Sequence, residues 1–113
     1  MKSTPEPGEL RERALRLLAR REHSRVELTR KLEQAGFVAS DIDSLLDEYE
    51  TKNWLSDRRF AESYVADHRA RSGSVKLAYD LRQRGVDGSI IEAVLGENRD
   101  SELSRAWEIW RKQ

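Results

Sequence analysis

The chain has 113 residues, 37% of them hydrophobic and another 37% charged, a composition that argues against one thick apolar core and suits thin, stacked helical layers. Its 21 basic and 21 acidic side chains cancel, so no net charge draws it toward nucleic acid. There is no cysteine for a disulfide framework or thiolate chemistry. With no apolar run of signal or membrane-spanning length, the expected setting is soluble and cytoplasmic.

Residues 1–9 contain both prolines and little apolar matter, and are expected to form a flexible lead-in. From Leu10, apolar residues fall at helical spacing (Leu10, Ala14, Leu17, Leu18), which predicts a first helix to about Glu22. A second helix is expected from a Ser24 cap to about Ala35, ending at Gly36, the residue type that most readily takes a left-handed stop. A third, from Ser40 to about Lys52, places Ile42, Leu45, Leu46 and Tyr49 on one stripe. Asn53, Trp54, Leu55 and Ser56 form the junction that follows.

The pattern then returns. Shifted forward by 49 positions, Leu28, Leu32, Gly36, Phe37, Ser40, Ile42, Leu45 and Leu46 fall on Leu77, Leu81, Gly85, Val86, Ser89, Ile91, Val94 and Leu95. Phe60, Ala61, Tyr64, Val65 and His68 repeat the first helix at a similar offset. The second unit is therefore expected to have helices near Asp57 to Arg71, Ser74 to Arg84 and Ser89 to Gly96, with Gly73 as the stop between the first two. A third copy opens at Ser101, places Leu103, Trp107 and Trp110 at helical spacing, and stops at Gln113. The expected fold is all-α, an elongated array of tandem three-helix repeats: 10–56, 57–100, and the first helix of an incomplete third over 101–113. Ser24 with Glu27, Ser40 with Asp43, and Ser89 with Glu92 have the spacing of a reciprocal helix cap.

Charge follows the repeat. Residues 10–36 carry eight basic and four acidic side chains, and 37–57 carry one and six; the second unit has seven and three over 58–86, then one and four over 87–100. First and second helices are basic and third helices acidic. The plain reading is solvated faces laced by internal ion pairs. For the whole array, alternating bands also suit a charged, repetitive partner. A helix, glycine turn and helix is also how groove-reading DNA domains are built, but Asp41, Asp43, Asp47, Glu48 and Glu50 crowd the third helix and would be repelled by phosphate. Weak, salt-sensitive phosphate contact remains open to Arg20, Arg21, Arg25, Arg30 and Lys31, or to Arg69, Arg71, Lys76, Arg82 and Arg84.

Nothing points to catalysis, a metal or a cofactor. His23 and His68 have no cysteine or third histidine at ligand spacing, and the serines read as helix caps. Phe37, Trp54, Phe60, Tyr64 and Tyr79 are expected to be core residues. If the chain ends at Gln113, part of the Trp107 and Trp110 pair is expected to lack a roof and to form an exposed patch, the mark of a contact surface such as self-association or of a truncation.

ALRLLARREHSRVELTRKL from Ala14 to Leu32, Gly36 with Phe37, WLSDRRFAESYV from Trp54 to Val65, and LRQRGV from Leu81 to Val86 together resemble the RecX family of RecA regulators. The resemblance runs in order from Leu10 to the chain end. It implies a non-enzymatic, elongated array of three-helix repeats that binds the RecA recombinase filament and modulates, usually inhibits, its ATPase, strand-exchange and coprotease activities, with DNA contact as a further expectation. No family motif fixes the contact residues. The basic bands nominate Arg20, Arg21, Arg25, Lys31, Arg58, Arg59, Lys76, Arg82 and Arg84 as partner-binding candidates. Members generally complete the third repeat, whereas this sequence supplies its first helix alone. The other readings are a stand-alone, non-specific nucleic-acid-binding module and a helical adaptor for another protein.

Overall fold

A computed structural model describes residues 7–97. The lead-in residues 1–6 and the third copy expected over 101–113 lie outside the described residues. In chain order the helices are α1 (Pro7–Arg20), α2 (Arg25–Gln34), α3 (Ala39–Thr51), α4 (Asp57–His68), α5 (Ser74–Gln83) and α6 (88–97). No strand occurs among the described residues.

Helices of this length are marginal in isolation, so their stability comes from the apolar stripes. Leu10 and Ala14 of α1, Leu28 and Leu32 of α2, and Ile42, Leu45, Leu46 and Tyr49 of α3 bury together, with Leu55 closing the cluster. A separate cluster gathers Phe60, Ala61, Tyr64 and Val65 of α4, Leu77 and Leu81 of α5, and Val86, Ile91 and Val94 around α6. Each large side chain stabilises its unit by about 1.5–3 kcal/mol. Each repeat has a core of its own, and the contacts between repeats are chiefly polar.

The helix stops explain the spacing. Gly36 has φ +97° and Gly85 φ +81°. In each turn the glycine amide reaches back three residues (Gly36 to the Glu33 carbonyl, Gly85 to Arg82) and the next amide reaches back five, Phe37 to Leu32 at 3.2 Å and Val86 to Leu81 at 3.1 Å. This double bond pattern satisfies the last carbonyls of a helix. A third stop of the same kind ends α3 on Asn53, with φ 62°. Its amide bonds to the Glu50 carbonyl and that of Trp54 to Tyr49, while the Trp54 ring packs 5.4 Å from Tyr49. Asparagine tolerates the left-handed region through its short polar side chain.

Several expectations are corrected. Helix α1 starts at Pro7 rather than Leu10, because a first-turn proline sacrifices no intrahelical bond. The Ser24 box forms, with the Glu27 amide donating to Ser24 Oγ at 3.1 Å and the Ser24 amide to Glu27 Oε1 at 3.2 Å. The Ser40 box does not. The Gly36 turn leaves so few residues that α3 begins at Ala39, with Val38 at the cap position and no side-chain cap. Asp87 takes the role expected of Ser89, accepting the Ser89 amide on Oδ1 at 3.2 Å. Gly73, expected as a stop, is the N-cap of α5. Phe60 and Tyr64 are core residues and Phe37 packs against the first core, but Trp54 and Tyr79 are 46% and 62% exposed. Trp54 needs no burial because Tyr49 backs it and the Lys52 ammonium lies 4.6 Å from its ring.

Candidate interaction surface at the repeat joint

Three of the candidate residues, Arg21, Arg59 and Arg84, gather where α2 meets the second unit. Ser24 Oγ, already capping α2, donates to the Arg84 carbonyl at 2.6 Å. The Arg25 amide donates to Asp57 Oδ1 at 2.8 Å, and Arg30 donates to the Gln83 carbonyl at 3.1 Å. Val26 lies against Gly85 so closely that a Cβ on the glycine would stand 2.2 Å from Val26 Cγ2. The end of α5 therefore sits on the first turns of α2, and α4 starts beside them.

Around this seam the arginines are shared with carboxylates and carbonyls. Arg59 donates through Nε to Glu22 Oε1 at 2.6 Å and through its terminal nitrogens to the carbonyls of Asn53 and Trp54. Arg21 donates to both oxygens of Glu27, at 3.1 and 3.2 Å, and to the Glu22 carbonyl. Arg84 lies 4.6 Å from the Tyr64 ring centre, donates to the Asp80 carbonyl and holds Nε 3.9 Å from Glu27. Burial raises the Glu27 carboxyl, but Arg21 and the Ser24 amide outweigh it and leave it below the ordinary carboxylate value. Burial pushes the Asp57 carboxyl upward against the Arg25 amide it accepts. A cleft of about 240 Å³ opens at the seam, lined by Arg21, Glu27, Phe60, Tyr64, His68 and Arg84. The His68 ring stacks on Tyr64 at 3.9 Å.

His23, expected to be an ordinary turn residue, is 1% exposed. Its Nδ1 is 3.0 Å from the Arg21 carbonyl and its Nε2 is 2.9 Å from Lys31 Nζ. A carbonyl only accepts and an ammonium only donates, so the ring is neutral with its proton on Nδ1. Burial, helped by the Arg21 and Lys31 charges, lowers its pKa. Burial and the nearby Arg21 and Arg20 also lower that of Lys31.

The nine nominated cations thus separate. Arg25 reaches into the acidic third helix, bonding Asp43 and Asp47 at 3.0 and 2.7 Å and also Glu50; against the cost of burial these hold its pKa above the ordinary guanidinium value. Arg58 pairs with Glu97 and lies 3.8 Å from Glu62. Lys76 lies 3.6 Å from Asp80. Arg21, Arg59 and Arg84 gather at the seam. Arg20 and Arg82 are exposed and, among the described residues, have no ion-pair partner, while exposed Lys31 spends one proton on His23. The sequence reading missed the partners that fix these cations. Asp43, Asp47 and Glu50 are spaced four and three apart on one helix face, a pattern legible in the sequence, whereas the Glu22 pairing depends on a fold contact.

Two three-helix units, each with its own core and stitched through a polar seam, define a tandem helical-repeat protein. Among the described residues no group of histidines or acids could hold a metal ion, and no helix is long and apolar enough to cross a membrane. Residues 11–48 match the first three-helix domain of RecX and residues 56–95 the second. The chain is 41% identical over 108 residues to the regulatory protein RecX of Ralstonia pickettii, covering 96% of this chain and 68% of that one. It is 42% identical over 109 residues to that of Pseudomonas savastanoi pv. phaseolicola, covering 95% and 70%. The chain belongs to the RecX family. A crystal structure of regulatory protein RecX superposes with a TM-score of 0.74 at 20% identity, covering 80% of this chain and 47% of that one. The RecX of Lactobacillus salivarius superposes at 0.72 with 24% identity, covering 79% and 59%. The chain spans about two thirds of its sequence relatives and about half of these solved chains.

Proposed function

We propose that this chain binds the RecA recombinase filament in the cytoplasm and lowers its ATPase, strand-exchange and coprotease activities, acting in homologous recombination, DNA repair and the SOS response without being an enzyme itself. The observation that carries this reading is membership, through both three-helix domains in order, of a family whose members are named regulatory proteins. The physical argument is periodicity. A filament presents the same charged surface at every subunit, and two joined repeats with repeated basic bands can engage neighbouring subunits together, gaining affinity from the second contact without new chemistry.

The proposed contact set is Arg20, Arg21, Arg25, Lys31, Arg58, Arg59, Lys76, Arg82 and Arg84. Arg20, Lys31 and Arg82 are its most available members, because no carboxylate engages them among the described residues. Reversing these three to glutamate is expected to abolish filament binding while leaving the circular dichroism spectrum unchanged; retained binding would rule out the basic-band contact. The second reading, a stand-alone nucleic-acid-binding module, is favoured by the exposure of the same three cations. It predicts that affinity for naked DNA falls steeply with salt in proportion to the phosphates contacted. Filament binding that persists at salt concentrations where DNA binding is lost supports the first.

A further inference from the structure

The described residues hold three lysines, and two of them face carboxylates. Lys52 Nζ lies 3.1 Å from Glu48 Oε2 and Lys76 Nζ 3.6 Å from Asp80 Oδ2, contacts that favour the ammonium and withhold the lone pair. Lys31 faces an imidazole instead. Its Nζ is 2.9 Å from His23 Nε2. The Arg21 carbonyl, 3.0 Å from Nδ1, fixes the ring proton on that nitrogen, so Nε2 presents its lone pair to the amine. His23 is 1% exposed, which holds the ring in place and keeps water from competing for Nε2. Lys31 is exposed and open to a reagent from solvent. An amine hydrogen-bonded to a positioned neutral imidazole is the pairing that activates a nucleophile.

We infer that Lys31 is an acylation site whose base is His23 and whose acyl donor is an acyl phosphate. As the free amine, Lys31 still donates one N–H to His23 Nε2 and leaves its own lone pair free. Attack on the acyl carbonyl forms the N–C bond and breaks the C–O bond to phosphate. The amine proton passes to Nε2 and on to the departing phosphate, so that acyl phosphate and amine become amide and hydrogen phosphate, and the ring ends neutral. Burial and the charges of Arg21 and Arg20 lower the Lys31 pKa, with Glu27 opposing, so more free amine is present near neutrality than at an ion-paired lysine. The same two guanidiniums, Arg20 without an ion-pair partner among the described residues, draw a dianionic donor toward the amine. Acylation cancels the Lys31 charge, and under the proposed filament contact it weakens the basic band. Filament binding is measured separately on the acylated chain, so a failure of the filament reading leaves the acylation result standing.

The test is acetylation of the full chain by acetyl phosphate from neutral to alkaline pH, with the rate at each lysine read by mass spectrometry. Near neutrality Lys31 is expected to react about tenfold faster than Lys52 or Lys76, a smaller gain than a dedicated general base gives. That margin is expected to narrow as pH rises and the other two amines shed their protons. In His23→Gln, with helix content unchanged by circular dichroism, Lys31 is expected to fall to the rate of the other two. In guanidinium chloride the three wild-type rates are expected to converge, because the pairing exists in the folded chain alone, and this comparison needs no variant. Equal rates at the three lysines of the folded wild type would overturn the inference. So would a Lys31 that stays fastest in folded His23→Gln or in denaturant, since its reactivity would then owe nothing to the histidine.

Discussion

A methyl group at position 85 has nowhere to go, because Val26 fills the space 2.2 Å away. At position 36 the same methyl meets nothing. Both glycines have positive φ, so alanine at either costs about 1–2 kcal/mol in backbone strain; overpacking adds about 1–3 kcal/mol at Gly85 alone. Urea unfolding is expected to show the larger loss for Gly85→Ala, with part of it recovered by adding Val26→Ala, and equal losses at the two sites would contradict the close approach. His23 gives a prediction in pH. Its folded pKa is depressed below 6.5, so the unfolded chain binds the extra proton first and the contribution of the neutral ring is complete above that value and lost as pH falls through and below it. His23→Gln is expected to flatten the fall in urea midpoint on the acid side of neutrality; an unchanged slope would remove His23 from the joint's energetics. At this scale the glycine turns were legible in the sequence because turn chemistry is local. The Val26 contact was not, because it joins residues 59 apart.

At the scale of the helix, three serine and acid pairs share one spacing and one of them forms a box. The spacing is necessary but the start of the helix decides, and the preceding glycine turn sets that start. Ser24 also donates across the joint to Arg84, so Ser24→Ala is expected to cost about 1–2 kcal/mol from the cap with further loss from the broken bond between repeats. Ser40→Ala, inside α3, is expected to change stability by less than about 0.5 kcal/mol. Chemical denaturation of both variants checks this, and similar losses would mean that Ser40 caps after all. The apolar stripes of the six helices among the described residues were readable from periodicity, while the fate of the cations was not. Arg25 and Arg20 lie in the same basic stretch, yet one is held by three carboxylates of α3 and the other is free among the described residues. Helix spacing places a charge on a face; packing of α2 against α3 decides what that face meets.

For the molecule as a whole, two separate cores would allow two separate unfolding events, and the seam of Ser24, Arg25, Arg30 and Arg59 opposes that. The expected wild-type behaviour is one cooperative transition. Arg59→Ala, which removes the link to Glu22 and to the carbonyls of Asn53 and Trp54, is expected to separate the melting of the repeats. A single unchanged transition in that variant would show that the seam is not what couples them. A rigid pair of repeats is also what the proposed filament contact requires, since gain from a second site depends on a fixed spacing. The most direct test of that function is the single-stranded-DNA-dependent ATPase rate of the cognate RecA as this chain is titrated in. The expected result is inhibition at amounts well below one chain per RecA subunit; an ATPase rate that stays constant even with the chain in excess would contradict filament regulation by these two repeats.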